Sequence, residues 1–129
     1  MNKPYILIAD DDSAILESYS AYLSEYFEVD TADTIAKAIA KLTDNKYLAA
    51  IIDMSFPHQK EGGLIIVEHI YEMKLLTRSI VLTALEGKGI CNIQEAHKFG
   101  IYKYIQKSGR KTRNIILDTL LEIKKIDEI

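Results

Sequence analysis

The chain has very few residues that form cross-links or bind zinc. Its single cysteine, Cys91, excludes an internal disulfide, and no grouping of cysteine and histidine has the spacing of a zinc site. Unpaired thiols are typical of reduced intracellular compartments. We therefore expect an intracellular protein whose function depends on neither a disulfide framework nor zinc.

Long apolar runs and an excess of basic residues are also lacking. The apolar stretch near the N-terminus is too short for a signal peptide or a membrane span, and it leads into three acids at positions 10–12. The 16 Lys and Arg residues against 19 Asp and Glu give a net charge of -3, without the basic face typical of nucleic-acid binding. We expect a cytoplasmic protein that contacts neither membranes nor nucleic acid directly.

Glycine clusters, repeats and linkers are scarce too. The turn after the first apolar stretch reads Asp-Asp-Asp-Ser and offers no glycine-rich cradle for a nucleotide or a flavin. No internal repeat or low-complexity segment divides the chain. Its 129 residues are enough for one domain with one core, which we expect to span residues 1–129.

The most informative stretch that is present is YLAAIIDMSFP at residues 47–57. Leu48–Ile52 has the length and unbroken hydrophobicity of a strand buried on both faces, and such strands belong mainly to parallel sheets covered by helices. Asp53 follows directly. Ligands of open α/β sheets bind in the crevice outside the carboxyl ends of the strands. Taken alone, Asp53 is equally well explained as a functional acid and as the cap of a turn.

Short apolar strands alternate with amphipathic helices along the whole chain. The predicted strands are Tyr5–Ala9, Glu28–Ala32, Leu48–Ile52, Ser79–Leu82 and Ile101–Ile105. The predicted helices cover about 13–27, 35–45, 64–76 and 92–99, with a last helix after residue 108; the expected N-caps are Ser13, Asp33 or Thr34, and Ser108. Five βα units in this order predict an α/β fold, a doubly wound parallel sheet with right-handed crossovers and helices on both faces.

Four of these strands carry polar groups to the same edge of the predicted sheet. They are Asp10 and Asp11 after the first strand, Asp53 after the third, Thr83 after the fourth and Lys107 after the fifth. Acids held close together repel each other, and a hard divalent cation such as Mg²⁺ relieves that repulsion. A cation beside a carboxylate, a hydroxyl and an ammonium group is suited to handling a phosphoryl group. A nucleophilic aspartate would then become an acyl phosphate.

In this order and at this spacing, the segments YILIADDDSAILE, AAIIDMSFP, SIVLTA and GIYKYIQK resemble the receiver domain of two-component response regulators. The resemblance covers essentially the whole chain and implies a flavodoxin-like sheet with strand order 2-1-3-4-5. It implies Mg²⁺ as the cofactor and a histidine kinase or histidine phosphotransfer protein as the phosphoryl donor. A downstream effector protein or an attached effector domain would receive the signal, and the resemblance allows a phosphorylation-dependent dimer.

The same resemblance implies a role for each acid near the sheet edge. Asp53 matches the phosphoacceptor, Asp11 the acid that contacts Mg²⁺ directly and Asp10 the acid that assists through water. The main-chain carbonyl of Ser55 matches the third protein ligand. Asp12 we place at a helix N-terminus, outside the metal site, because acids favour that end of a helix.

Three further residues match the switch of the family, and one departs from it. Thr83 matches the hydroxyl residue that moves to hold the phosphoryl group, Lys107 the lysine that pairs with it and Tyr104 the aromatic whose rotamer reports activation. The family usually follows its lysine with a proline in a cis peptide, where this chain has Ser108. A cis bond before a non-proline residue costs about 3 kcal/mol, so the Lys107–Ser108 peptide is either trans or strained.

Two other functions remain open. A pseudo-receiver would keep the fold as an interaction module without being phosphorylated; the missing proline favours this reading, and the complete set of acid, hydroxyl and lysine opposes it. An aspartyl phosphatase of the haloacid-dehalogenase kind also uses a strand-end aspartate and Mg²⁺, but it needs a second aspartate two residues later, where Ser55 stands. We expect a regulator that assists its own phosphorylation and autodephosphorylation rather than a turnover enzyme.

Overall fold

The computed structural model describes residues 3–55, 62–83 and 98–128. These residues form a five-stranded parallel sheet in the order β2-β1-β3-β4-β5, which confirms the predicted α/β architecture and strand order. The strands are β1 (Tyr5–Ala9), β2 (Glu28–Ala32), β3 (Ala49–Asp53), β4 (Arg78–Thr83) and β5 (Lys103–Gln106). The described helices are α1 (Ser13–Leu23), α2 (Ile35–Asp44), α3 (Gly62–Glu72) and α4 (Lys111–Asp127). Most of the helix predicted at 92–99 lies outside the described residues, as does Cys91.

Strand β3 occupies the centre of the sheet and the centre of the core. All five of its residues are buried, and it pairs in parallel with β1 on one side and β4 on the other. Successive side chains of a strand point to opposite faces. Ala50 and Ile52 accordingly pack under α2 and α3, while Ala49 and Ile51 pack under α1 and α4. The unbroken apolar run therefore reflects burial on both faces, as predicted.

Helix α1 differs from its prediction at both ends. The N-cap is Asp12 rather than Ser13, because the Asp12 carboxylate accepts the N–H groups of Ala14 and Ile15. The helix ends at Leu23 rather than near Phe27. Phe27 is fully buried from the following turn, in which its N–H donates to the Leu23 carbonyl. Phe27 continues the apolar spacing of α1 although it lies in a turn, and for that reason the sequence predicted a longer helix.

The ends of the other helices follow simple capping chemistry. Thr34 caps α2 as predicted, since its hydroxyl accepts the Lys37 N–H at 3.1 Å. Ser108 does not cap α4, which begins at Lys111. Its N–H instead donates to the Thr112 hydroxyl at 2.7 Å. Within the described part of the chain, no helix has the length and hydropathy that a membrane span requires.

Candidate functional site

The predicted site residues meet at the carboxyl edge of the sheet. Asp53 is the last residue of β3 and Thr83 the last of β4, while Asp10 follows β1 and Lys107 follows β5. Main-chain hydrogen bonds continue the sheet to this edge: the Met54 N–H donates to the Leu82 carbonyl at 3.0 Å and the Lys107 N–H to the Thr83 carbonyl at 2.8 Å. Parallel topology thus delivers four polar side chains to one place, as the sequence predicted.

Three carboxylates form the acidic part of the site. Asp10, Asp11 and Asp53 each place one oxygen within 4.8 Å of the others. Asp10 and Asp53 are buried, and Asp11 is half-buried. Buried like charges at such short range repel strongly, so this group of acids needs a counter-charge.

Among the three acids, Asp10 shows most clearly that a counter-charge is needed. Its Oδ1 accepts the Asp12 N–H at 2.9 Å, but its Oδ2 is buried and has no hydrogen-bond partner among the described residues. Burial, opposed by the Asp12 N–H and reinforced by the charge of Asp53, raises the pKa of Asp10 to about 6. A buried carboxylate oxygen without a donor is the kind of ligand that a hard cation satisfies. The three acids therefore form a set that could hold a divalent metal ion.

Lys107 supplies positive charge on the other side of Asp53. Its Nζ lies 3.2 Å from the Asp53 Oδ2, and the Ser55 N–H donates to the Asp53 Oδ1 at 3.1 Å. Both carboxylate oxygens are thereby held in fixed directions. Ser55 lies beside Asp53 through this bond, whereas the use of its carbonyl as a metal ligand stays a prediction.

Thr83 and Tyr104 lie on neighbouring strands next to this group. Thr83 is 7% exposed and ends β4, whose Leu82 pairs in register with Asp53. Tyr104 is half-buried, pairs with Val81 of β4 and packs against the core under α2 and α3. Tyr102, two residues earlier, packs on the opposite face, as the alternation of side chains along a strand requires. Burial raises the pKa of the Tyr104 phenol above its ordinary value.

Residues 6–117 match the family model of the response regulator receiver domain. The chain belongs to this family. Among curated proteins, this receiver domain is 33% identical over 103 residues to the acid tolerance regulatory protein ActR of Rhizobium meliloti (strain 1021). The match covers 79% of this chain and 51% of ActR, so the receiver domain spans about half the length of that relative.

Solved structures share the same architecture. The CheY-like receiver domain protein from Methanospirillum hungatei JF-1 is 28% identical, with a TM-score of 0.79 over 96% of this chain and 98% of that one. The BeF3-activated receiver domain of DrrB is 22% identical, with a TM-score of 0.79 over 95% and 98% of the two chains, and it shares the fold. The protein is thus the receiver domain of a two-component response regulator, with an acidic cluster at its phosphorylation site.

Gly63 packs beside the candidate site although it lies just before the helix predicted at about 64–76, so the sequence did not indicate its role. In α3 it packs directly on the end of β3: a Cβ at position 63 would lie 2.5 Å from the Asp53 carbonyl oxygen and 2.7 Å from the Met54 Cα. Its N–H also donates to the Met54 carbonyl at 3.3 Å. Only glycine permits this approach, and the adjacent pair Gly62-Gly63 was the signal in the sequence.

Tyr19 is a second residue whose position the helical pattern did not show. It is 8% exposed and packs in the core under α1. Burial raises the pKa of its phenol, the charge of Lys107 opposes that rise, and Asp10 and Asp53 add to it. Tyr19 therefore lies within electrostatic range of the site.

Proposed function

We propose that Asp53 accepts a phosphoryl group from the phosphohistidine of a histidine kinase or histidine phosphotransfer protein. The single receiver domain, residues 1–129, would then change its affinity for a downstream effector protein or an attached effector domain. The observation that carries this proposal is the ion pair between Lys107 and the buried Asp53, set beside the acids Asp10 and Asp11. We place the exchange in the cytoplasm and include a phosphorylation-dependent dimer among its outputs.

The chemistry assigned to Asp53 is nucleophilic. One carboxylate oxygen attacks the phosphorus atom, the phosphorus–nitrogen bond breaks and its electron pair returns to the imidazole of the donor. Lys107 neutralises charge on the phosphoryl oxygens, and the Ser55 N–H holds the second carboxylate oxygen in place. Hydrolysis of the resulting acyl phosphate resets the domain, which acts as a regulator rather than as a turnover enzyme.

A divalent cation fits the acidic side of this site. Asp10, Asp11 and Asp53, with the main-chain carbonyl of Ser55, would hold Mg²⁺, which prefers oxygen ligands in octahedral geometry. When bound, Mg²⁺ supplies positive charge next to the phosphoryl oxygens. The Oδ2 of Asp10, which is buried and has no hydrogen-bond partner in the described part of the chain, supports this assignment.

Thr83 and Tyr104 would change their side-chain conformations on phosphorylation and thereby alter the surface that a partner contacts. Thr83 directly follows Leu82, the register partner of Asp53, and its hydroxyl would turn toward a group on Asp53 and donate a hydrogen bond to it. Tyr104, on the adjacent strand, would change rotamer as Thr83 moves. Such coupling shifts an equilibrium between two conformations that already exist.

Modification of the purified domain tests the proposal. With acetyl phosphate and Mg²⁺, we expect intact-mass spectrometry to show one added phosphoryl group, which disappears in Asp53→Asn and with EDTA. Asp12→Asn is the matched control, because it removes a neighbouring acid outside the cluster and keeps a residue suited to capping α1. Failure of Mg²⁺-dependent labelling, or labelling unchanged in Asp53→Asn, would refute the proposal and favour a pseudo-receiver. Steady hydrolysis of a generic phosphate ester would favour a phosphatase.

A further inference from the structure

The turn that carries Lys107 is fixed by hydrogen bonds from two successive main-chain N–H groups. The Lys107 N–H donates to the Thr83 carbonyl at 2.8 Å, and the Ser108 N–H donates to the Thr112 Oγ1 at 2.7 Å. The second bond exists because residue 108 is not proline, which has no N–H. The structure has the Lys107–Ser108 peptide in the trans form.

Thr112 is well placed to hold this turn because it cannot move easily. It lies in the first turn of α4, is 1% exposed and also donates its own N–H to the Gly109 carbonyl at 3.2 Å. Gly109 has a φ of +61°, a conformation that reverses the chain between β5 and α4. Residues 108 and 109 are therefore both tied to one buried threonine.

The N-terminus of α4 shows that the Thr112 hydroxyl does not act as an ordinary helix cap. Arg110 occupies the N-cap position in a helical conformation, and its side chain makes no capping hydrogen bond among the described residues. The Thr112 hydroxyl instead reaches back outside the helix to the residue that follows Lys107. Its hydrogen bond thus restrains the turn rather than closing the helix.

We propose that Thr112 is a positioning residue for Lys107. By accepting the Ser108 N–H, it holds the Lys107–Ser108 peptide in the orientation that directs the lysine side chain toward Asp53. This inference rests on the proposed function for its effect on phosphorylation, but the position of Lys107 can be measured without it. Small errors in the position of a charged group at a reacting centre reduce rates strongly, so loss of the bond should reduce phosphoryl uptake.

The principal test is Thr112→Val, which keeps the shape and β-branching of the side chain and removes the acceptor. We expect amide hydrogen exchange at Ser108 to accelerate at least about tenfold and the rate of acetyl-phosphate labelling to fall about three- to tenfold. The Mg²⁺ affinity should stay within about twofold of the wild-type value, because the acids of the cluster lie at the ends of β1 and β3, away from the turn between β5 and α4. Labelling at the wild-type rate in folded Thr112→Val would overturn the inference.

Two further variants separate positioning from general stability. Thr119→Val is the matched control: Thr119 lies in the same helix, is also 1% exposed, and its hydroxyl donates within α4 to the Ile115 carbonyl. We expect Thr119→Val to lower stability without changing the labelling rate. Thr112→Ser keeps the hydroxyl and should restore the rate to within about twofold. Equal loss of rate in the two valine variants would mean that Thr112 is merely structural.

A double-mutant cycle then tests whether Thr112 acts through the Ser108 N–H. In a Ser108→Pro background no Ser108 N–H exists, so Thr112→Val should change the labelling rate by less than about twofold. An undiminished effect of Thr112→Val in that background would contradict the proposed link between residues 108 and 112.

Measuring the position of the Lys107 side chain distinguishes failure of the positioning role of Thr112 from failure of the proposed function. The ¹H–¹⁵N signal of the Lys107 ammonium group should shift in Thr112→Val and not in Thr119→Val, whether or not Asp53 can be phosphorylated. If wild-type protein is not labelled but this signal shifts as described, the proposed function fails and the positioning role stands. If the signal does not shift, the positioning role fails in either case.

Discussion

Lys107 and Asp53 form an ion pair across the end of the strand that separates them. Their Nζ and Oδ2 atoms lie 3.2 Å apart, although Lys107 follows β5 and Asp53 ends β3, on either side of β4. The side chain of Asp53 is 7% exposed and that of Lys107 is 37% exposed. The carboxylate is thus held within the protein, and the lysine side of the pocket stays open to solvent.

Removing the ammonium group of Lys107 should leave folding intact and slow phosphoryl uptake. We expect Lys107→Met to fold and to take up phosphate from acetyl phosphate about 100-fold more slowly than the wild type, because the transferred group loses its main protein cation. Labelling rates followed by intact-mass spectrometry measure this effect. Lys103→Met, which removes an exposed lysine from the same strand, should react at the wild-type rate. Equal rates in the two variants would argue against a role for Lys107.

The raised pKa of Asp10 predicts a stability that depends on pH. In the folded protein this carboxyl group binds its proton more tightly than in the unfolded chain, since its pKa rises from 3.8 to about 6. Its contribution is therefore favourable below pH 3.8 and is lost as the pH rises through 6. Without Mg²⁺, Asp10→Asn should increase the free energy of unfolding at pH 7.5 by on the order of 1–3 kcal/mol.

Urea denaturation in EDTA at two pH values measures this contribution. The difference between wild type and Asp10→Asn should be largest at pH 7.5 and fall to about a third of that value at pH 4.5, where the carboxyl group is mostly protonated in the folded protein but already mostly ionised in the unfolded chain. A difference that does not change with pH would contradict the assignment. Added Mg²⁺ should stabilise the wild type more than Asp10→Asn, because the variant lacks one charged oxygen ligand.

Gly63 should be intolerant of even the smallest side chain. In Gly63→Ala the new Cβ would overlap the Asp53 carbonyl, so α3 must move away, and we expect a loss of about 3 kcal/mol in unfolding free energy. The labelling rate of Asp53 should also fall at least about tenfold, because its backbone shifts. Gly100→Ala is the control: it meets no atom within 4 Å, and its φ of +65° costs about 1–2 kcal/mol far from the site. Normal labelling of Gly63→Ala would refute the predicted displacement.

The cap of α1 gives a direct comparison between sequence prediction and structure. Asp12→Ala should lower the free energy of unfolding by about 1 kcal/mol, because two N–H groups lose their acceptor. Ser13→Ala should change it by less than about 0.5 kcal/mol, since Ser13 is the first helical residue and not the cap. Thermal or urea denaturation of both variants decides the point. A larger effect at Ser13 would restore the original prediction.

The parts of the site that the sequence predicted are those that topology alone determines. An apolar run buried on both faces indicates a parallel strand, and parallel strands end at a common edge, which is enough to bring Asp10, Asp53, Thr83 and Lys107 together. No distance between helices is needed for that inference. The match of residues 6–117 to the receiver family agrees with it.

The parts that were missed depend on distances that a linear pattern does not contain. Gly63 matters because α3 approaches the backbone of β3 closely, and no periodicity reports that separation. Asp12 and Ser13 are both good capping residues; the Asp12 N–H is bound by the Asp10 carboxylate, and the Asp12 side chain is then directed to the first turn of α1. The electrostatic effect of Lys107 on Tyr19 likewise depends on where α1 lies against the sheet.

The hydrogen bond from the Lys107 N–H to the Thr83 carbonyl has a consequence for how a signal can leave the site. It extends the ladder between β4 and β5 to its last residues, so translation of one strand along the other would break several bonds at once. Rotation of a side chain about χ1 breaks none of them. We therefore expect the backbone of these two strands to superimpose in the resting and activated forms, with the difference confined to torsion angles of Thr83 and Tyr104.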